Sequence, residues 1–502
     1  MLKGLRNGAR MFVVDPRRTA SAQWADVWLG LDVGADISLA NAMGREIIVS
    51  GLTNQRFIDH ATSGFEAYRE CVEKYTLERA ERETGIPEEI IRQTAHTYAQ
   101  AERAVICWTL GITEHHNAVD NVVALINLAL LTGHVGRYGS GVNPLRGQNN
   151  VQGGGDMGAI PDRLTGFQHV ENDELRAKFE RAYGVKIPGV KGRNLSAMFE
   201  AMEHGEMKFC YVLGENPIDS EADRQRTVRL MGGLEFLVVQ DLFYTKTAEL
   251  ADVVLPGSAG WCETNGTVTN SERRVQRVRP AVPLPPGVRD DIEVIYEIAR
   301  RMGCNLGCAE AESIWDELRK LSPMHAGMSY KRLEETGGIQ WPCYEENHPG
   351  EMFLHSRLWL EPLVGPRAPF HAVEFEPPVD QLDEEFPLRL TTGRRLDSYN
   401  TGVQTNGYNS PLRRPEALDL APEDGLRYHV REGEKVLVSS RRGSVVAPVH
   451  FDPALRPGLA FLSVHFHEQV ATNNLTIDAV DPKSGTSEFK ATAIRIQKIQ
   501  EN

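Results

Sequence analysis

The stretch KFCYVLGENP, Lys208–Pro217, is an unbroken apolar run stopped by Gly-Glu-Asn-Pro. Two more runs of the same kind follow closely, LEFLVVQDLF at Leu234–Phe243 and ADVVLPGS at Ala251–Ser258. Continuous apolar character, without alternation, marks strands of a parallel sheet covered on both faces. Polar and glycine residues after each run fall where open α/β sheets bind ligands, outside the carboxyl ends of the strands. The same grammar appears upstream. Met11–Val14 is a short apolar run ending in DPRR, and Pro87 opens a helix with Glu88 and Glu89 in its first turn, where acidic groups meet the positive helix end. That helix runs through Tyr98 into AVICWTLG, Ala104–Gly111. Strand, helix, strand is the doubly wound α/β pattern.

The fold expected is therefore α/β, with two doubly wound domains over residues 1–148 and 149–285. Residues 286–378 are Pro-rich and irregular, with helices expected near Asp291–Arg301 and Ala311–Leu321. Beyond residue 379 the pattern turns to short strands: PLRLTTGR, EKVLVSS, SVVAPVH and GLAFLSVHF, with Arg441–Gly443 as a hairpin turn between the middle two. A C-terminal β-barrel over 379–502 is the expectation. The strand ending at Asp15 has no βα unit before it, which leaves a sheet edge open. The expectation is a chain that starts inside a domain.

Composition narrows the function. A chain of 502 residues exceeds one hydrophobic core. Apolar content of 41% and charged content of 25% are those of an ordinary globular protein. The formal net charge of -14 argues against a nucleic-acid partner, which needs a basic face, but leaves room for a local pocket for one anion. No apolar run reaches the roughly 20 residues of a membrane helix. The longest, VVALINLALL at Val122–Leu131, carries Asn127 and reads as a buried helix. The N-terminus has a strand pattern where a secretory signal needs an apolar helix, so a cytoplasmic location is expected. Seven scattered cysteines fit reduced thiols. Cys304 and Cys308 are the only close pair, and no spacing matches a metal or iron–sulfur site.

One segment stands apart. NPLRGQNNVQGGGDMG, Asn143–Gly158, sets Asn143, Gln148, Asn149, Asn150 and Gln152 around one cation, Arg146, and follows them with three glycines. Amides satisfy a polar ligand without adding like charge, and glycines bare backbone donors.

Together with VVDPRRT, GLDVGADISLANAM, GENPIDSEAD, VVQDLFYTKTAELADVVLP, ETNGTVTNSERRVQ and the terminal NNLTIDAVDPKSGTSEFKATAIRI, that segment resembles the molybdopterin oxidoreductases. Within them the resemblance is to the catalytic (alpha) subunit of molybdenum- or tungsten-dependent formate dehydrogenases, over essentially the whole chain and in the same order. It implies a metal held between two molybdopterin guanine dinucleotides, with formate oxidised to carbon dioxide. Arg146 would orient formate, its planar fork matching a carboxylate bidentately as a lysine cannot. At ~4 Å and an effective dielectric of ~20 the attraction is about 4 kcal/mol before desolvation.

Gln148 would contact the cofactor. Asp15, Arg17, Gly34 and Asp36 would hold the guanine and diphosphate end of one dinucleotide, joined by Gly111, Glu114 and His115. Many members of the family have Gln where this chain has Glu114. Gly214, Glu215, Asn216, Asp241 and Thr245 would take the second dinucleotide. Arg394, Asn473 and Lys490 of the barrel would close over both, although Ser398 and Asn400 stand where a histidine is common. No metal ligand is assigned, because the family's cluster-binding cysteines and metal-ligating Cys or selenocysteine precede the segment where this chain starts. The resemblance thus implies the C-terminal part of a catalytic subunit that works with its N-terminal part or a separate chain carrying it, and with an electron-transfer partner. A sister enzyme acting on another small oxyanion and a non-catalytic cofactor-binding module remain alternatives.

Overall fold

A computed structural model describes residues 2–398, 400–401 and 414–499. They form two compact units, Met1–Asn143 with Pro217–Val228 and His355–Asn502, and Pro144–Asn216 with Arg229–Leu354.

The first unit begins with β1 (Phe12–Val14) and β2 (Val27–Leu29), paired in parallel with Phe12 opposite Val27. Helix α1 (Asp36–Val49) lies at the centre of a core that buries Ile37, Leu39, Ala42 and Ile47. Gly44 is obligatory there, because a Cβ would stand 2.1 Å from the hydroxyl of the buried Tyr68. Around it lie α2 (Glu88–Gln100), entered through Pro87 as expected, and α3 (Ala118–Thr132), the helix of VVALINLALL. Asn127 is tolerated inside α3 because its amide donates to the His371 carbonyl (2.8 Å) and accepts from the His371 N–H (3.2 Å). Between α2 and α3, β3 (Val105–Trp108) is half-exposed where the sequence suggested a fully buried strand.

In the second unit, β4 (Phe209–Leu213), β5 (Phe236–Asp241) and β6 (Val253–Pro256) form the parallel sheet that the three apolar runs predicted, in the order β6–β5–β4. Cys210, Val212, Leu237 and Val239 are buried. Their neighbours Phe209 and Phe236 stack on each other at 5.9 Å and stay about half exposed, so the sheet is covered on one face and not on both. An antiparallel set of β7 (Gly266–Thr269), β8 (Arg274–Val278) and β9 (Ile339–Gln340) follows. Helices α5 (Asp291–Arg301) and α6 (Ala311–Leu321) fall where the sequence put them, after a short α4 (Val151–Asp156) in the amide-rich stretch.

The barrel of the first unit is closed. Its strands β10 (Leu388–Gly393), β11 (Leu418–Leu420), β12 (Lys435–Ser439), β13 (Ser444–Phe451), β14 (Leu459–Ser463) and β15 (Thr492–Lys498) run in the order β10–β14–β11–β13–β12–β15, and β15 returns to β10. The β12–β13 hairpin turns at Arg441–Gly443, with the Ser440 N–H on the Gly443 carbonyl. Asp380, its side chain 3% exposed, ties this turn to β15 by accepting from Arg441, from Arg442 (2.6 Å) and from the Ala493 N–H (2.8 Å). Leu390 on β10 is fully buried in the barrel core. Leu390→Ala is expected to cost about 2–5 kcal/mol, read as a loss of hydrogen-exchange protection across the barrel strands, with unit 2 unaffected.

Candidate functional site

Asp15 and Arg17 leave β1 at its carboxyl end. The Arg17 N–H donates to Asp15 Oδ1 (2.8 Å) and the Trp28 indole N–H to the Asp15 carbonyl (2.9 Å), which fixes the turn. Burial raises the Asp15 carboxyl, partly offset by Arg17. The Arg17 guanidinium sits over Phe461 of β14, its Cζ 3.8 Å from the ring centroid, a contact that holds the fork without consuming its donors. Gly34 adopts φ +86°, and a Cβ on it would meet Pro378 at 2.8 Å. Asp36 begins α1, and burial pushes its carboxyl up to about 6 against the attraction of His115.

The segment Gly111–His116 is bound to the chain around residue 488. Lys490 Nζ pairs with Glu114 (2.6 Å) and donates to the Thr392 carbonyl (3.1 Å). The Phe489 N–H donates to the Glu114 carbonyl (3.1 Å). His115 meets Glu488 through Nδ1 and the Gly111 carbonyl through Nε2, both at 3.1 Å. Gly111 itself has open space where a Cβ would point. Unit 1 thus brings Asp15, Arg17, Gly34, Asp36, Gly111, Glu114, His115 and Lys490 into linked segments. Asn473 lies in the same unit, and its amide donates to the Asp219 and Ser220 carbonyls (3.1 and 3.2 Å), so it secures the chain at 219–220. Arg394 follows β10 and is exposed.

In unit 2, Arg146 and Gln148 are exposed in the loop before α4. The loop is anchored just beyond them. Asn150 takes a left-handed conformation, φ 65°, and its Oδ1 accepts from the Thr269 N–H (2.9 Å). Gly153 is required by that anchor, since a Cβ would stand 1.9 Å from Asn150 Oδ1. Asp156 closes α4, 1% exposed, with Oδ1 accepting from Gln152 (2.9 Å) and Oδ2 without a hydrogen-bond partner. Burial pushes its carboxyl up to about 6, although Gln152, Trp341 and Arg146 pull the other way.

Gly214 follows β4 at φ +63° with open space above it, and Glu215 comes next. Asn216 Oδ1 accepts from Thr247 N–H (3.2 Å) and Oγ1 (2.8 Å), while Thr245 caps the next helical turn through the Ala248 N–H (3.2 Å). Asp241 ends β5, raised by burial, with Oδ1 on the Leu242 N–H (2.6 Å).

Sequence reasoning passed over Glu488, Phe461 and Asp156, and it grouped Asn150 with the ligand-facing amides where the structure makes it the anchor of the loop. Glu488 carried a signal, an acid shortly before a strand, but its histidine partners lie more than 370 residues away. Among the described residues, no group of three or more His, Cys, Asp or Glu is placed to hold a metal ion. No helix among them is long and apolar enough to cross a membrane.

The donor set of unit 1 fits a guanine dinucleotide. A carboxylate can accept the two guanine N–H groups, the Arg17 fork rests on its ring, and Gly111 has open space where a Cβ would point. Asp36 is the costly member. Its folded carboxyl titrates near 6 against an ordinary 3.8, so the ionised form is disfavoured in the fold and stability is lost as pH rises through that window. Asp36→Asn is expected to stabilise the unit by about 1–3 kcal/mol above that window and to be neutral below it, measured by thermal unfolding across pH.

Residues 1–301 match the model of the family described as molybdopterin oxidoreductase, and residues 388–493 match that of the molydopterin dinucleotide binding domain. The chain is 41% identical to the F420-dependent formate dehydrogenase 2 subunit alpha of Methanococcus maripaludis, over 99% of this chain and 73% of that protein. It is 36% identical to formate dehydrogenase H of Escherichia coli K12, over 99% of this chain and 70% of that protein. Among solved structures, acetylene hydratase from Pelobacter acetylenicus superposes with a TM-score of 0.73 at 22% identity, covering 99% of this chain and 75% of that one, and so shares the fold. The mixed α/β units, the closed barrel and these matches agree, and the chain belongs to the molybdopterin oxidoreductase family.

Proposed function

We propose that this chain is the part of a formate dehydrogenase catalytic subunit that holds molybdopterin guanine dinucleotide and orients formate, in the cytoplasm. The observation that carries the reading is Arg146. Its guanidinium is exposed, has no ion-pair partner among the described residues, and projects from a loop pinned at Asn150 and Gly153. Formate oxidation is what its relatives at 36–41% identity are named for.

The chemistry that a bound metal–pterin group would supply is acceptance of two electrons as formate loses its carbon-bound hydrogen as a proton and becomes carbon dioxide. The residues of this chain do the rest. Arg146 binds both formate oxygens through parallel N–H bonds, which leaves the C–H bond pointing away from the guanidinium. Gln148 offers an amide beside it, neutral and able to donate or accept. Asp15 and Arg17 secure one dinucleotide through guanine and diphosphate; Gly214, Glu215, Asn216, Asp241 and Thr245 secure the other. Glu114, Lys490 and Arg394 flank the first. The metal's protein ligand and the iron–sulfur cluster come, in this reading, from residues outside these 502, on the N-terminal part or a separate chain, and a further partner takes the electrons.

In the complete enzyme, Arg146→Ala should lower kcat/KM for formate about 100-fold with pterin and metal content retained. Arg146→Lys, which keeps charge but not the fork, should lose about tenfold, mostly as a raised KM. Unchanged formate turnover in Arg146→Ala would overturn the proposal.

A further inference from the structure

Glu488 has no exposure to solvent and receives five contacts from nitrogen. Its Oε1 accepts from the N–H groups of Lys490 (2.9 Å) and Ala491 (3.0 Å). Its Oε2 faces the His116 N–H (3.1 Å), His115 Nδ1 (3.1 Å) and His116 Nδ1 (3.4 Å). Three backbone N–H groups, two on Oε1 and one on Oε2, match a carboxylate, which accepts at both oxygens and has no hydrogen of its own to place. His115 is itself buried, and its second nitrogen, Nε2, faces the Gly111 carbonyl. An imidazole placed between two pure acceptors satisfies both only if each nitrogen carries a proton.

We propose that Glu488 is a positioning residue that holds His115 as an imidazolium, a fixed buried cation that aligns Gly111 and the Gly34–Asp36 turn for an anionic ligand. The ring lies under that turn, its Cε1 3.9 Å from where a Gly34 Cβ would be. Neither nitrogen is left for a bound molecule, so His115 acts through charge and through the backbone it holds. The charged groups facing it are Glu488 and Lys490 on the 488–491 segment and Asp36 on α1. Burial pulls the imidazole down, but Glu488 and Asp36 outweigh it and raise it above its ordinary value. Burial pushes Glu488 up, and the two histidines with their backbone hold it well below the carboxylate range instead.

The protonation state stands without the proposed reaction, while the role toward a ligand rests on the dinucleotide reading. The test is nitrogen NMR of the full chain labelled in histidine. One histidine should show both ring nitrogens protonated at neutral and mildly alkaline pH. That signature should survive His116→Gln and lose one ring proton per chain in the near-isosteric Glu488→Gln. GDP, used as the probe, should bind the parent chain and be lost from Glu488→Gln, whose thermal unfolding shows whether the fold is intact. A singly protonated ring in the parent, or no change in Glu488→Gln, overturns the protonated state. Undiminished GDP binding in a folded Glu488→Gln overturns the positioning role, and failure of the parent to bind GDP overturns the dinucleotide reading on which that role rests.

Discussion

A carboxylate cut off from water must be met on every side, and Glu488 is met by partners from both directions of the chain. Donors from its own segment fill one oxygen, and residues 115 and 116 fill the other. This fixes where the barrel's last connection lies against the helix-bearing part of the same unit. Neighbouring bonds extend the attachment: Asp481 accepts from the Val119 N–H at the start of α3 (3.3 Å), Lys483 pairs with Asp120, and Lys490 with Glu114. Removing the carboxyl would leave a buried cation and several N–H groups unmet at once, which is why such a group is costly to break even where it adds little to net stability.

Much of the fold was legible because it rests on local pattern. The runs at 209–213, 236–241 and 253–256 became strands with the register of a parallel sheet, and α5 and α6 have the limits read from the sequence. Local pattern did not tell one covered face from two. An apolar run looks the same in both cases, and Phe209 and Phe236 show it by keeping half their surface exposed. The barrel was recognised from four strands. Leu418–Leu420 was too short to stand out, and Thr492–Lys498 alternates Arg and Gln with apolar residues as half-buried strands do.

The candidate site was legible by residue type and less so by what each residue holds. Asn216, Thr245 and Asn473 have side chains engaged with the protein's own backbone or hydroxyls. Short polar side chains at strand ends serve as caps as readily as ligand contacts, and sequence does not separate the two. Arg146 and Arg17 differ in kind. One projects from an anchored loop and the other rests on an aromatic ring. Pairings across hundreds of residues, such as His115 with Glu488 or Arg17 with Phe461, leave no trace in spacing. They arise only once the chain has closed.

Closure of the barrel brings its first and last strands side by side, with Leu388 opposite Ile494 and Leu390 opposite Thr492. The two ends of this portion of the chain are therefore neighbours in space, a few ångströms apart across one ladder. Such a portion could be cut at the tight turn of Arg441–Gly443 and rejoined at its old ends by a short linker, with every strand keeping both partners. The barrel strands would then keep their order around the ring, while the 481–491 connection would still have to meet residues 114–120 of the same unit.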